Sequence, residues 1–286
     1  MSTKTKRIHL CFLLITVALA LAVITLRILA LLGHLDAATG YFTSSTLSIA
    51  FTAILIGGAV FGAVFSHELS ELFVFNGDYR DIPTLFASSF AAAVFLFFSY
   101  SLFTKVGGGT ALASLFAILA SLCALLSGIA FLLSLFDISG TKRAMLSLFP
   151  VGLSVFYAFY LYFEGQMMLN NPHKLLCQAA FLLSAFFFLG ESRIALGRAK
   201  WALHTYITLL TLLFSASLSL PNLVYHAAVG APLLFDTMPD FVLLAIFFYT
   251  TARTVATLLT VNRQSSPSLR FVTEGQEDLM EEKEEE

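Results

Sequence analysis

Apolar runs of about 20 residues, separated by short polar gaps, fill most of this chain, and that arrangement restricts the fold more than any other feature. A helix rising 1.5 Å per residue needs about 20 apolar residues to cross the hydrocarbon core of a bilayer. Eight such runs are readable: 8–32, 46–66, 82–103, 110–136, 144–163, 174–190, 201–220 and 240–261. None shows the strict alternation, over about 10 residues, of a membrane β-strand. The expected fold is therefore all-α, a polytopic transmembrane helix bundle of about eight spans within residues 1–263. Charged residues make up 12% of the chain and mean hydropathy is +0.86, where soluble domains carry about 25% charged residues.

The cations give the bundle a direction. Lys and Arg are retained on the cytoplasmic side of membranes. With the N-terminus cytoplasmic, one set of gaps holds eleven: Lys4, Lys6, Arg7, Arg80, Lys142, Arg143, Arg193, Arg198, Lys200, Arg263 and Arg270. The opposite gaps hold two, Lys105 and Lys174. This predicts a multi-pass cell-membrane protein with both termini cytoplasmic. The first run also has the basic start, apolar centre and Ala18-Leu19-Ala20 triplet of a signal peptide. It continues to spanning length, so an uncleaved helix is expected.

The net charge of −2 conceals two regions of opposite sign. Glu274 to Glu286 holds eight acids and one Lys, leaving 15 basic against 10 acidic residues elsewhere. Residues 264–286 read as a disordered acidic cytoplasmic tail, because such a run has too little apolar surface to bury. It is either simply solvated or a dock for a basic partner. Cys11, Cys123 and Cys177 lie in or beside apolar runs, with no CxxC pair, and imply neither a disulfide nor a metal.

Four polar features stand out against this background. Arg253 lies twelve residues into the last run, deep in the membrane. Intramembrane charges are costly and face a partner or a cavity. Glu68, Glu71 and Glu191 occupy cytoplasmic helix ends within its reach, so Arg253 is an anion or gating site, a structural ion pair, or a snorkelling side chain. Arg27, near the outer end of the first run, either snorkels outward or pairs with Glu164.

His67-Glu68-Leu69-Ser70-Glu71 places His67 and Glu71 four apart, on one helix face. Two ligands at this spacing can hold a metal and Glu68 can act as a base, although the second His of a zinc-protease HExxH is here Glu71. The other readings are proton binding by the adjacent acids and a plain solvated helix end. Glu191 to Lys200 is the densest basic segment. Arg193, Arg198 and Lys200 suit contact with anionic lipid head groups, or serve as an ordinary cytoplasmic loop. Together with Asn171-Pro172-His173-Lys174, this segment resembles a group of uncharacterised bacterial multi-pass membrane proteins over about residues 157 to 200. The resemblance implies a bacterial membrane setting and brings no activity with it.

Pro221-Asn222 interrupts the seventh run, and the apolar piece after it, 223–235, either continues it or re-enters the membrane. No P-loop, GxSxG or CxxCH is present, and the basic residues follow topology rather than a phosphate backbone. The expectation is an integral membrane protein without a cofactor or nucleic-acid partner: a transporter- or permease-like bundle, or the membrane subunit of an assembly. Its partners are the lipid bilayer and a small-molecule substrate or second subunit. The alternative is an intramembrane metal-dependent hydrolase centred on His67, Glu68 and Glu71.

Overall fold

The structure, a computed structural model, describes residues 3–36, 41–70, 81–136, 138–165, 171–198, 200–229 and 237–264. Side chains are described throughout these segments except at 3–10, 13, 45, 67–70 and 257–264. The expected acidic tail beyond residue 264 lies outside the described residues. Within them the fold is an all-α bundle: α1 (Thr3–His34), α2 (Ser45–Ser70), α3 (Ile82–Phe103), α4 (Ala111–Leu133), α5 (Gly140–Leu146), α6 (Leu148–Phe163), α7 (Pro172–Ala195), α8 (Trp201–Val229) and α9 (Met238–Gln264). Seven spans are long and apolar enough to cross a membrane, with α5 and α6 together forming one, Gly140–Phe163. The eighth expected run is helical as α9 and packs along α8 and α3.

Local chemistry sets the helix ends. Pro83 and Pro172 sit in first turns, where a missing N–H costs nothing. Asn171 caps α7 by accepting from the His173 N–H at 2.9 Å, and Thr110 caps α4 through the Ala113 N–H at 3.1 Å. The turn between α5 and α6 falls at Ser147, because Pro150 cannot donate to the Leu146 carbonyl and its ring crowds it. Gly197, at φ +69°, ends α7: its N–H donates to the Ile194 carbonyl and the Arg198 N–H to the Arg193 carbonyl. The helix therefore stops before Lys200.

Pro221 does not break α8. The helix runs through it to Val229, so residues 221–229 extend the span and do not re-enter. Proline is tolerated within membrane helices where packing and hydroxyl side chains compensate for the lost bond. Here packing does so: Pro221 is buried, and the carbonyl left without its helical donor is that of Ser217.

Six spans close a ring in the order α3, α4, α6, α7, α8, α9 and back to α3. Phe95, Phe98, Tyr157, Phe181, Phe187 and Tyr249 fill its interior. The α1–α2 pair packs outside the ring, chiefly on α8, through Phe12, Val23, Phe51 and Leu55 against Leu209 and Leu213. The end of the bundle where α1 begins is its near face, and the opposite end is its far face.

Helix α4 buries small residues and exposes large ones. On α4, Ala113, Ala117, Ala120, Ala124 and Ser127 are buried, while Leu112, Leu115, Leu122 and Ile129 are exposed. A water-soluble bundle sorts the other way, hiding its large apolar side chains. Small residues let membrane helices approach closely, and hydroxyls then bond across the seam. Ser99 on α3 donates to the Ser121 carbonyl and Ser121 on α4 donates back to the Ser99 carbonyl, each at 2.8 Å. We predict that Ala124→Leu, which forces bulk into this seam, lowers stability by about 1–3 kcal/mol. The check is thermal unfolding in mild detergent, with the exposed change Leu122→Ala as the comparison that leaves the seam intact.

Candidate functional site

Three helices meet at a buried ionic centre one turn inside the near face. Glu191 comes from the last turns of α7, His204 from the first turn of α8 and Arg253 from the second half of α9. Arg253 Nε donates to Glu191 Oε2 at 3.0 Å, and both side chains are 3% exposed. His204 Nε2 lies 3.3 Å from Glu191 Oε1. A carboxylate can only accept, so His204 carries a proton on Nε2. Its Nδ1 has no hydrogen-bond partner among the described residues. The ring stacks on Phe187 at 5.5 Å and fits because Gly190 has no side chain: a Cβ there would collide with Nδ1. Tyr249, one turn before Arg253, closes the centre from inside the ring against Phe131, Phe187 and Phe188.

A second polar centre occupies the far end of the same helices. Asn222 Nδ2 donates to Asp240 Oδ1 at 2.9 Å, with Asn222 fully buried and Asp240 2% exposed. Asp240 lies in the first turn of α9, where the helix dipole favours an anion. His173, in the first turn of α7, and Arg27 of α1 are buried nearby. Arg27 interacts electrostatically with both Asp240 and His173. Arg27 is 5% exposed, so it does not snorkel. The short bridge between Leu35 and Phe42 folds the α1–α2 connection back, and the Phe42 ring covers the guanidinium at 4.6 Å, with Phe51 at 5.5 Å. Glu164 instead offers its backbone carbonyl to Lys174 Nζ at 2.9 Å.

One polar stripe on α8 joins the two centres. His204, Thr208, Thr211, Ser215, Ser219, Asn222 and His226 recur every three or four residues and so share one face. From His204 to His226 the stripe is about 33 Å long at 1.5 Å per residue, the thickness of a hydrocarbon core. Thr211, Ser215, Ser219 and Asn222 are fully buried. Thr208, Ser215 and Ser219 donate to carbonyls one turn back, while Thr211 reaches across to the Leu183 carbonyl of α7 at 3.2 Å.

Of the polar residues singled out in the sequence, the structure joins Arg253 with Glu191 alone. Glu71, and the side chains of His67 and Glu68, lie outside the described residues, although 67 and 68 fall within α2. Arg193, Arg198 and Lys200 are exposed together at the near face. Among the described residues no three His, Cys, Asp or Glu side chains cluster as metal ligands would. Sequence reading considers His204 and His226 only as third ligands for His67, which it sets aside, and does not connect His204 with Glu191 or find Asp240 and the α8 stripe. The signal for the stripe is present: polar residues spaced 4-3-4-4-3-4 through an apolar run.

Glu191→Gln should be strongly destabilising, by about 3–5 kcal/mol, because it leaves the Arg253 charge buried without its counter-ion. The double change Glu191→Gln with Arg253→Met should recover much of that loss, as denaturation in mild detergent will show. A second cycle isolates the histidine. Gly190→Ala should evict the His204 ring and cost about 1.5–3 kcal/mol, the worth of a hydrogen bond to a charged group. In a His204→Ala background the same change should cost far less.

No protein-family model matches the chain, and no curated protein or solved structure is similar to it.

Proposed function

We propose that this chain is a permease-like membrane protein that moves a small solute or ion with protons passed along the buried face of α8. In this reading the near face is cytoplasmic, both termini lie there, and the exposed Arg193, Arg198 and Lys200 meet anionic head groups of the cell membrane. The observation that carries it is the α8 stripe, with titratable groups at both ends and hydroxyls between.

Chains of Asp, Glu and His across a membrane are the usual elements of proton relays in transporters. At the cytoplasmic end, the His204 Nδ1 lone pair receives a proton while Glu191 stabilises the imidazolium that results. At the outer end, Asp240 and His226 do the corresponding work. Side chains one helical turn apart are about 5–6 Å from each other, a gap that one bridging water closes. Each hydroxyl along the stripe can accept one hydrogen bond while donating another. Arg253 holds Glu191 ionised and in place. His204 and Arg253 hold separate oxygens of the same carboxylate, which ties the proton-accepting group to the joint between α7 and α9.

Reconstitution into vesicles loaded with a pH-sensitive dye tests the proposal. Under a potassium diffusion potential, vesicles with the wild-type protein should acidify several-fold faster than protein-free vesicles. Ser215→Ala, which removes the hydroxyl with little change of volume, should bring the rate back toward the protein-free value. The Glu191→Gln, Arg253→Met pair should do the same while remaining monodisperse. Equal rates in wild-type and protein-free vesicles, or unchanged flux in both variants, would overturn the reading.

A further inference from the structure

We infer that the cavity between α2 and α7 is a binding site for a single-chain amphiphile with a carboxylate head, of the long-chain fatty-acid class. The inference does not require the proton relay: Arg27 lies near Asp240, but the cavity meets α8 at Leu210 and Phe214, off the polar stripe.

Both α2 and α7 pack on α8 but stand apart from each other, leaving a cavity of about 810 Å³ between them. This is a size usual for small-molecule sites. Leu55, Leu175, Ala179, Leu182, Leu210 and Phe214 make its walls apolar. Along α7 it runs from Pro172 to Phe186, about 21 Å at 1.5 Å per residue, long enough for an extended acyl chain. Arg27 lines its far-face end and is the one charged side chain in the lining.

Arg27 is what makes this a ligand site rather than a gap filled by lipid tails. It is 95% buried, and neither Nε nor Nη2 has a hydrogen-bond partner among the described residues. Those two nitrogens form one edge of the guanidinium, the fork that grips both oxygens of a carboxylate. Asp240 acts on the charge electrostatically yet makes no hydrogen bond to this edge. Phe42 and Phe51 cover the cation and also line the cavity, so the guanidinium forms part of the wall at its far-face end.

Depth selects the head group. Arg27 lies seven residues before the end of α1, about 10 Å below it. A carboxylate is small enough to be drawn that far into apolar surroundings, and its two oxygens fit the Nε–Nη2 edge that Asp240 leaves without a hydrogen bond. A phospholipid would have to bring its glycerol and second chain with it.

The test is displacement of a dansyl-labelled undecanoic acid from the protein in phosphatidylcholine nanodiscs. Oleate should displace it at least about tenfold more effectively than oleyl alcohol, the worth of a charge-assisted pair. Arg27→Gln should abolish that preference, and Arg27→Lys, which keeps the charge without the fork, should retain part of it. Ala179→Trp, which fills the groove away from Arg27, should weaken both competitors. Oleate and oleyl alcohol competing equally on the wild-type protein would overturn the site, as would an unchanged preference in Arg27→Gln. Displacement by phosphatidylglycerol but not by oleate would assign the groove to a two-chain lipid and overturn the single-chain ligand. Should Arg27→Gln fail to fold, the head-group comparison on the wild type and Ala179→Trp still decide the matter.

Discussion

The Glu191–Arg253 ion pair is the interaction on which the near half of this bundle depends. A charge held away from water keeps its ionised form only with a partner in good geometry. Here that partner sits on another helix, so the requirement fixes α7 against α9, two spans that otherwise touch little. His204 brings α8 to the same carboxylate. Three helices are thus pinned in register at one point by one acid. Apolar packing alone would tolerate sliding, because large side chains facing lipid gain nothing from a particular register. The two oxygens of Glu191 divide the work, Oε2 accepting from Arg253 and Oε1 facing His204.

Much of the architecture is legible in the sequence because the bilayer imposes it. Spanning length and the scarcity of charge mark each helix, and Ile82–Phe103 begins and ends where the sequence places it. Depth along a helix likewise identifies Arg253 as a residue in need of a partner, with Glu191 among three acids in reach. What sequence spacing cannot choose is which acid, because that depends on how α7 and α9 pack across the ring. Arg27 shows the opposite limit. Its position near a helix end fits snorkelling, but the fold of the α1–α2 connection lays Phe42 over it and seals it in. A contact made by a short bridge eight residues downstream leaves no periodic trace.

At Pro221 local propensity favours a break, and tertiary context overrides it. In water a mid-helix proline forfeits a hydrogen bond and crowds the preceding turn. In a buried membrane helix the alternative to a helix is backbone exposed to hydrocarbon, which costs more. α8 therefore remains helical through Pro221, and the residue after it, Asn222, is left on the same face as Ser219 and Ser215. Continuity across the proline is what lets one face carry polar groups from one end of the bundle to the other. A broken helix would have separated Asn222 and His226 from the hydroxyls below them.

The buried polar groups divide into two kinds, and the division separates architecture from chemistry. The serines and threonines of α4, α8 and α9 mostly satisfy themselves on carbonyls of their own helix one turn back. Each costs little to bury, because its donor is already paired and its oxygen can accept. Arg27 and the Nδ1 of His204 are of the other kind, buried with hydrogen-bonding capacity unspent among the described residues. Unspent capacity in a low dielectric is expensive, and folding alone gives no reason to keep it. A Leu at position 27 would pack against Phe42 and Phe51 without leaving donors unpaired, at the cost of the Arg27 charge that faces Asp240. The chain places an arginine there, beside an apolar cavity, and a histidine at the mouth of a polar stripe. The groove meets α8 at Leu210 and Phe214, beside the face that carries the stripe, so α8 borders both features.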